Sequence, residues 1–372
     1  MPDLKPGKKN RAFRVAAVLL SVMATLSLLE LAAWFFLHKK WPRKPPVPQN
    51  EWVILTAHGR RLQPNVNTEI YSEISRRQVR FRTNSLGLRG EEINIEKKPG
   101  IKRIFVLGDS ITLSQFLPEE EVYPALLGKR LSSQFPVEVI NAGMFGVGTK
   151  EELDIYKKIG RRLKPDLVLV GFYLNDSRPP WGFKNEFYRL PPWLIETSKT
   201  IGQYSYLYNW IWRRFLVTHF VAKGQFLFQD WNKKYANTDW RTDKSVYRNL
   251  IKTARMDFGA AWQESSWQTI YELMDELNSL VKKDDSKLAV LIFPVEIQVR
   301  SQVADDFPQQ KMLAYCKERK IPCLDLLPIL REHQHQDIYF DHCHLNTLGH
   351  EIISPPIASF LEQNFFSKTP AP

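Results

Sequence analysis

A three-layer α/β fold around a parallel sheet is what this sequence predicts, and three observations point to it. Short, continuously apolar runs of strand length recur along the chain, helical patterns lie between them, and turn residues stand at the junctions. Continuous rather than alternating apolar runs belong to strands buried on both faces. Strands alternating with helices give a parallel sheet with helices on its faces, and place ligands beyond the carboxyl ends of the strands.

The runs, in order, are Arg103–Leu107 (RIFVL), Val137–Ile140, Asp166–Phe172 (DLVLVGF), Leu288–Phe293 (LAVLIF) and a weaker one at Ile321–Leu326. Helical patterns fill Glu120–Gln134, Lys150–Leu163, Ser265–Val281 and Gln309–Arg319. Ahead of the first run, residues 51–100 alternate apolar and polar, as in Glu69–Thr83 (EIYSEISRRQVRFRT), which predicts a small β-rich lead-in ending at the turn NSLGLRG. The alternation fails once. Between Asp176 and about Ser265 no clear sheet strand appears, and the stretch carries Trp181, Trp193, Trp210, Trp212, Trp231, Trp240 and Trp262 with basic breaks such as Arg213 and Arg214. Its segment Tyr204–Phe228 is aromatic and apolar, which suits a helical cap with its own core, a lid, a helix resting on a membrane interface or an aromatic platform for sugars.

The N-terminus has a different character. Val15–Leu37 reads VAAVLLSVMATLSLLELAAWFFL, with Glu30 its one charge, a length that suits a bilayer-crossing helix. Basic residues flank it on both sides, and Trp34 and Trp41 stand near its far end. The run ends in WFFLHKKW, a poor cleavage site, so an uncleaved anchor is expected. The predicted organisation is a basic cytoplasmic N-terminus (1–14), a transmembrane anchor (15–37), a Pro/Lys/Arg spacer (38–50), the β-rich lead-in (51–100), a catalytic domain (101–366) with a helical insertion (177–264), and a tail (367–372).

A net charge of +12 in 372 residues raises nucleic acid as a partner. The Lys and Arg residues are scattered apart from the clusters beside the apolar run, and no zinc-finger or RNA-recognition pattern occurs, so nucleic-acid binding is set aside. Attraction to anionic lipid or an acidic glycan accounts for the charge equally well. Cys316, Cys323 and Cys343 are too few for a disulfide framework; one Cys316–Cys323 bridge or three thiols fit equally.

Chemistry enters directly after the first buried run, at Gly108-Asp109-Ser110-Ile111-Thr112. A serine in the turn between a parallel strand and a helix stands at the ligand edge of the sheet, where its own N–H can help hold an oxyanion. Serine needs a base to take its proton. A lone GDS is equally an ordinary strand-to-helix turn, and the G-x-S-x-G elbow is absent because Thr112 stands where its second glycine would be. Near the other end, Tyr339–His350 (YFDHCHLNTLGH) sets Asp341 three residues before His344, a spacing that lets the carboxylate hold one ring nitrogen while the other faces a serine. His342 competes as base from a harder position beside the aspartate. His333, His335, Asp337, His342, Cys343 and His344 are dense in potential metal ligands, but no zinc spacing fits them. Asn141-Ala142-Gly143 follows the second run and Asn175-Asp176 the third; each alone is a helix cap or turn, and each can offer a donor to a developing oxyanion.

The order GDS, NAG, ND and DxxH, at successive strand ends and before the last helix, resembles the four blocks of the SGNH (GDSL-like) hydrolase superfamily over about residues 84–176 and 286–366. NSLGLRG is similar to the lead-in of bacterial membrane-associated and secreted members. The resemblance implies a flavodoxin-like sheet and a serine esterase needing no cofactor and no metal. It makes Ser110 the nucleophile and an oxyanion donor, Gly143 and Asn175 the other donors, His344 the base and Asp341 its orienting carboxylate. One departure is that Gly171 precedes Asn175 by four residues, where many members have Gly-x-Asn-Asp. An anchored member would sit in a bacterial inner membrane with its catalytic domain periplasmic, deacylating an envelope polysaccharide, O-acetylated above all, or a lipid-linked ester. Two other activities fit the same sequence: O-acyl transfer to an exported glycan, and glycan binding by an idle scaffold. Oligomeric state is open.

Overall fold

The computed structural model describes residues 8–37, 52–56, 59–72, 74–177, 204–211, 237–255 and 257–366. They fall into two compact units, one formed by residues 8–37 with 204–211 and the other by the remainder.

In the first unit, α1 (Lys8–Leu37) carries an apolar stretch, Phe13–Phe36, of mean hydropathy 2.2, long and apolar enough to cross a membrane. Among the described residues nothing buries most of its side chains, unlike those of a core helix: Leu19, Leu20, Leu28 and Leu31 are all more than half exposed.

The second unit opens with two antiparallel hairpins, β1 (Val53–Thr56) with β2 (Gly59–Leu62) and β3 (Asn67–Ser72) with β4 (Arg77–Arg82). Alternation makes β4 two-faced, burying Val79 and Phe81 while Arg80 stays out. The lead-in therefore shares the main core, where Trp52 lies 4.6 Å from Phe81 ring to ring. Behind it come the sheet strands β5 (Lys102–Gly108), β6 (Val137–Asn141), β7 (Leu167–Tyr173), β8 (Lys287–Phe293) and β9 (Cys323–Asp325). All four pairings are parallel and the order is β6-β5-β7-β8-β9. Counted by chain order that is 2-1-3-4-5, the flavodoxin-like arrangement, whose crevice opens where the connections part at the carboxyl end of the first strand. All seven residues of the central β7 are buried, as a continuous apolar run requires.

Between and after the strands run α2 (Ser110–Leu113), α3 (Tyr123–Ser132), α4 (Thr149–Lys158), α5 (Tyr206–Ile211, of the first unit), α6 (Lys244–Thr253), α7 (Glu264–Lys283), α8 (Glu296–Arg300), α9 (Phe307–Arg319), α10 (Leu327–Glu332) and α11 (Thr347–Phe365). α3 packs with α11, and α4 with α7. The stacked rings of Tyr271 and Tyr315, 4.8 Å apart, join α7 to α9. The helix expected over Glu120–Gln134 is shorter and broken: a 3-10 turn at Glu119–Glu121 precedes α3, because Pro124 fits only the first turn of a helix. Of the Trp-rich stretch, Trp240 and helix α6 belong to the main core, with Trp240 1% exposed. Trp181, Trp193, Trp212, Trp231, Arg213 and Arg214 lie outside the described residues, as do the 38–50 spacer and the 367–372 tail. Cys316, Cys323 and Cys343 are free thiols.

Candidate active site

Ser110 is the first residue of α2, directly beyond β5. Asp109 caps the helix, its Oδ1 accepting the Ile111 N–H at 2.8 Å. As the first residue of the helix, Ser110 has no intrahelical acceptor for its N–H. Strand end and helix start pack too closely for side chains: a Cβ on Gly108 would lie 2.1 Å from Thr112 Oγ1, and one on Gly171 of β7 2.7 Å from the same atom. The Thr112 hydroxyl is tied to Tyr123 Oη at 2.8 Å.

His344 meets this serine from the far end of the chain. Its Nε2 lies 2.9 Å from Ser110 Oγ, and its Nδ1 lies 2.8 Å from Asp341 Oδ2. The other carboxylate oxygen of Asp341 accepts the backbone N–H groups of Cys343 and His344 at 2.9 and 2.8 Å, so one side chain shapes the loop and orients the ring. Phe116 sets its ring edge-on to the imidazole, with centroids 4.6 Å apart. Burial opposes charge on His344, but the neighbouring Asp341, with Asp109 and Asp257 further off, outweighs it and raises the pKa. Asp341 mirrors this: burial pushes its carboxyl up, and the stronger pull of His344 and His342 holds it well below the usual range.

His342 is less suited to act as a base than His344 on three counts. It is buried, its Nδ1 stands 4.0 Å from Asp341, and burial lowers its pKa. Burial likewise pushes the Cys343 thiol well up, which leaves it uncharged beside His344.

The other two expected residues are placed differently. A Cβ on Gly143 would fall 2.3 Å from the Leu113 N and 2.7 Å from the Thr112 carbonyl carbon, so this glycine lies directly on the backbone of α2. Its N–H donates to Asn141 Oδ1 at 2.9 Å, while Asn141 Nδ2 donates to the Thr112 carbonyl at 2.9 Å. Asn141 therefore ties its own loop to the serine helix and occupies the Gly143 donor. Asn175 lies half-buried in the 3-10 turn Leu174–Ser177 after β7, a turn pinned by Asp176 Oδ2 accepting the Tyr173 N–H at 2.9 Å.

Sequence reasoning missed the residue that clamps the serine turn from the other side. Arg89, the arginine of NSLGLRG, is 3% exposed, and its guanidinium donates to the carbonyls of Leu113, Ser114 (2.7 Å) and Leu117. Its backbone bridges Thr83 and, on the sheet edge, Asn141. Burial lowers its pKa only to about 10, so it is a cation at neutral pH, placed where the carbonyl end of α2 is negative. The glycine-bounded turn was visible in the sequence; that its arginine reaches carbonyls 24 to 28 residues away was not.

The sequence matches no family model and no curated protein. Similar solved structures include a lipase/acylhydrolase from Enterococcus faecalis, 14% identical over 70% of this chain and 96% of that one, with a TM-score of 0.38. A member of the lipolytic protein G-D-S-L family from Veillonella parvula is 12% identical over 72% and 99% of the two chains, with a TM-score of 0.38. A catalytic mutant of an acetylxylan esterase from Geobacillus stearothermophilus is 11% identical over 70% and 94%, with a TM-score of 0.38. The likeness is distant in both identity and superposition.

Proposed function

We propose that this chain is a serine hydrolase that cleaves acyl esters through an acyl-Ser110 intermediate. The observation carrying the reading is the continuous relay from Ser110 Oγ to His344 Nε2 and from His344 Nδ1 to Asp341 Oδ2, at 2.9 and 2.8 Å. Ser110 Oγ bonds to the ester carbonyl carbon as its proton passes to His344. The resulting oxyanion is held by the Ser110 N–H and by Asn175, a contribution typically of ~3 kcal/mol per donor. Gly143 joins them when its N–H turns from Asn141 to the oxyanion. His344 then gives its proton to the departing alcohol, and a water deprotonated by the same ring releases the acid.

In this reading Val15–Leu37 anchors the chain in a bacterial inner membrane, with the catalytic unit on the periplasmic side. The substrate class is then an O-acyl ester, an O-acetyl group of an envelope polysaccharide or a lipid-linked ester. The test is release of p-nitrophenol from acetyl and longer esters by the detergent-solubilised chain, beside labelling of Ser110 by a fluorophosphonate. Turnover lost in both Ser110→Ala and His344→Ala supports the proposal. A correctly folded chain that neither turns over esters nor labels would overturn it.

A further inference from the structure

Glu30 is the one charged residue of α1 between Val15 and Leu37, and a carboxylate at that position would be costly in hydrocarbon without partners. It has three. Its oxygens accept the Ser205 hydroxyl at 2.6 Å, the Tyr206 N–H at 2.6 Å and the Leu207 N–H at 3.1 Å. Ser205 Oγ in turn accepts the Tyr208 N–H at 2.9 Å. The first three N–H groups of α5 are thus satisfied, two by a side chain of α1 and one by the helix's own cap. A helix start in water needs no such accounting, because water serves the orphan donors; in lipid each must find a protein acceptor.

The position of Glu30 along α1 sets the depth. It lies six residues before Phe36, the end of the apolar stretch, which at ~1.5 Å per residue is about 9 Å inside it. On a helix whose described neighbours are mostly exposed, Glu30 and Ala33, one turn apart on one face, are half-covered. Tyr204, Trp210 and Ile211 present outward surface of the apolar and aromatic kind, with Tyr204 71% exposed. α5 has six residues, about 9 Å of helix, far short of a ~30 Å bilayer core.

We propose that residues 204–211 form a re-entrant segment that dips into the bilayer and is tethered to the anchor helix by Glu30, its outer face meeting lipid. This rests on the reading of α1 as a membrane anchor. The insertion is then not a soluble cap alone but the second point at which this chain enters the membrane, from the side on which α1 ends.

The full-length chain, reconstituted in phosphatidylethanolamine–phosphatidylglycerol vesicles, carries an environment-sensitive fluorophore on Tyr204→Cys or, separately, on Leu20→Cys; the unsubstituted chain sets the labelling background. The expected result is quenching of both probes by doxyl-labelled lipid and protection of both from aqueous iodide. In a Glu30→Leu background the Tyr204 probe should become severalfold more accessible to iodide while the Leu20 probe stays in lipid. A Tyr204 probe open to iodide in the parent, beside a lipid-quenched Leu20 probe, overturns the re-entrant segment and spares the anchor. A Leu20 probe open to iodide overturns the anchor itself. A Tyr204 probe that stays protected in Glu30→Leu overturns the tether.

Discussion

The two sides of the relay are built in opposite ways. The serine turn is held from a distance: Arg89 grips the carbonyls of Leu113, Ser114 and Leu117, Asn141 grips that of Thr112, and His350 lies 3.1 Å from the Ser114 hydroxyl, 236 residues away in sequence. The His344 loop is held mostly by itself: Asp341 accepts the N–H groups of Cys343 and His344, the Phe340 N–H donates to the His344 carbonyl at 2.8 Å, and Tyr339 bridges Leu345, while from outside the Glu296 N–H donates to the His342 carbonyl at 2.8 Å. A serine at a strand end must be aimed by whatever surrounds the strand. A loop that closes on its own carboxylate brings its histidine already oriented. The consequence is that remote substitutions should disable the serine side, while the base loop should respond chiefly to changes within itself.

Under the proposed mechanism, removing Ser110 or His344 gives the largest effect and treats the two sides alike. Ser110→Ala or His344→Ala should each cost about 10⁶-fold in kcat, and the double variant little more, because the two act as a unit. Unequal losses in the two single variants would break the pairing of Ser110 with His344.

Asp341→Asn comes next, at about 10⁴-fold, since the amide cannot hold the productive tautomer. It also tests the electrostatics. As the proposed base, His344 must be neutral to accept a proton, and its raised pKa should put the rising limb of the kcat/KM–pH profile above the ordinary 6.5 of histidine. With the carboxylate gone, burial dominates and the limb should move to lower pH. A limb that does not move assigns it to another group.

Gly143→Ala sharpens the comparison on the serine side. Its new Cβ would press on the backbone at Leu113, and a nucleophile displaced by about 1 Å typically loses ~10²-fold in rate. KM for a small acetyl ester should change far less than kcat. Arg89→Met follows, with buried carbonyls stripped of their donor and a stability loss of about 1–3 kcal/mol seen in thermal unfolding. Arg89→Lys should recover stability before activity, because one ammonium cannot reproduce the guanidinium fork. Phe116→Ala should be mildest, about tenfold or less, as expected from an aromatic contact of ~0.5–1.5 kcal/mol. Were Phe116→Ala more damaging than Gly143→Ala, the claim that the base loop supports itself would fail.

The same contrast explains what was legible beforehand. Asp341 and His344 are three residues apart, so their pairing follows from local spacing. All five sheet strands were visible because burial on both faces writes itself as continuous apolar runs, and β5, β7 and β8 differ from expectation only at their ends. Arg89 was invisible as a clamp, since an arginine in a turn reads as surface until the chain folds it beneath α2. The Asn141–Gly143 bond was hidden likewise: the tripeptide suggested a donor, and only the packed loop reveals that the donor already has an acceptor.

The sequence by itself determined the layers, the continuous strands, the apolar N-terminal helix and the residue types from which a serine relay can be made. These are properties of periodicity and composition, written within a few neighbouring residues. Tertiary structure alone decided that Ser110 and His344, 234 residues apart, come within hydrogen-bonding distance, that Arg89 serves the serine turn, and that Glu30 caps the helix Tyr206–Ile211. Each is a meeting of groups far apart in the chain, set by strand order, close packing and the need of every buried polar group for a partner.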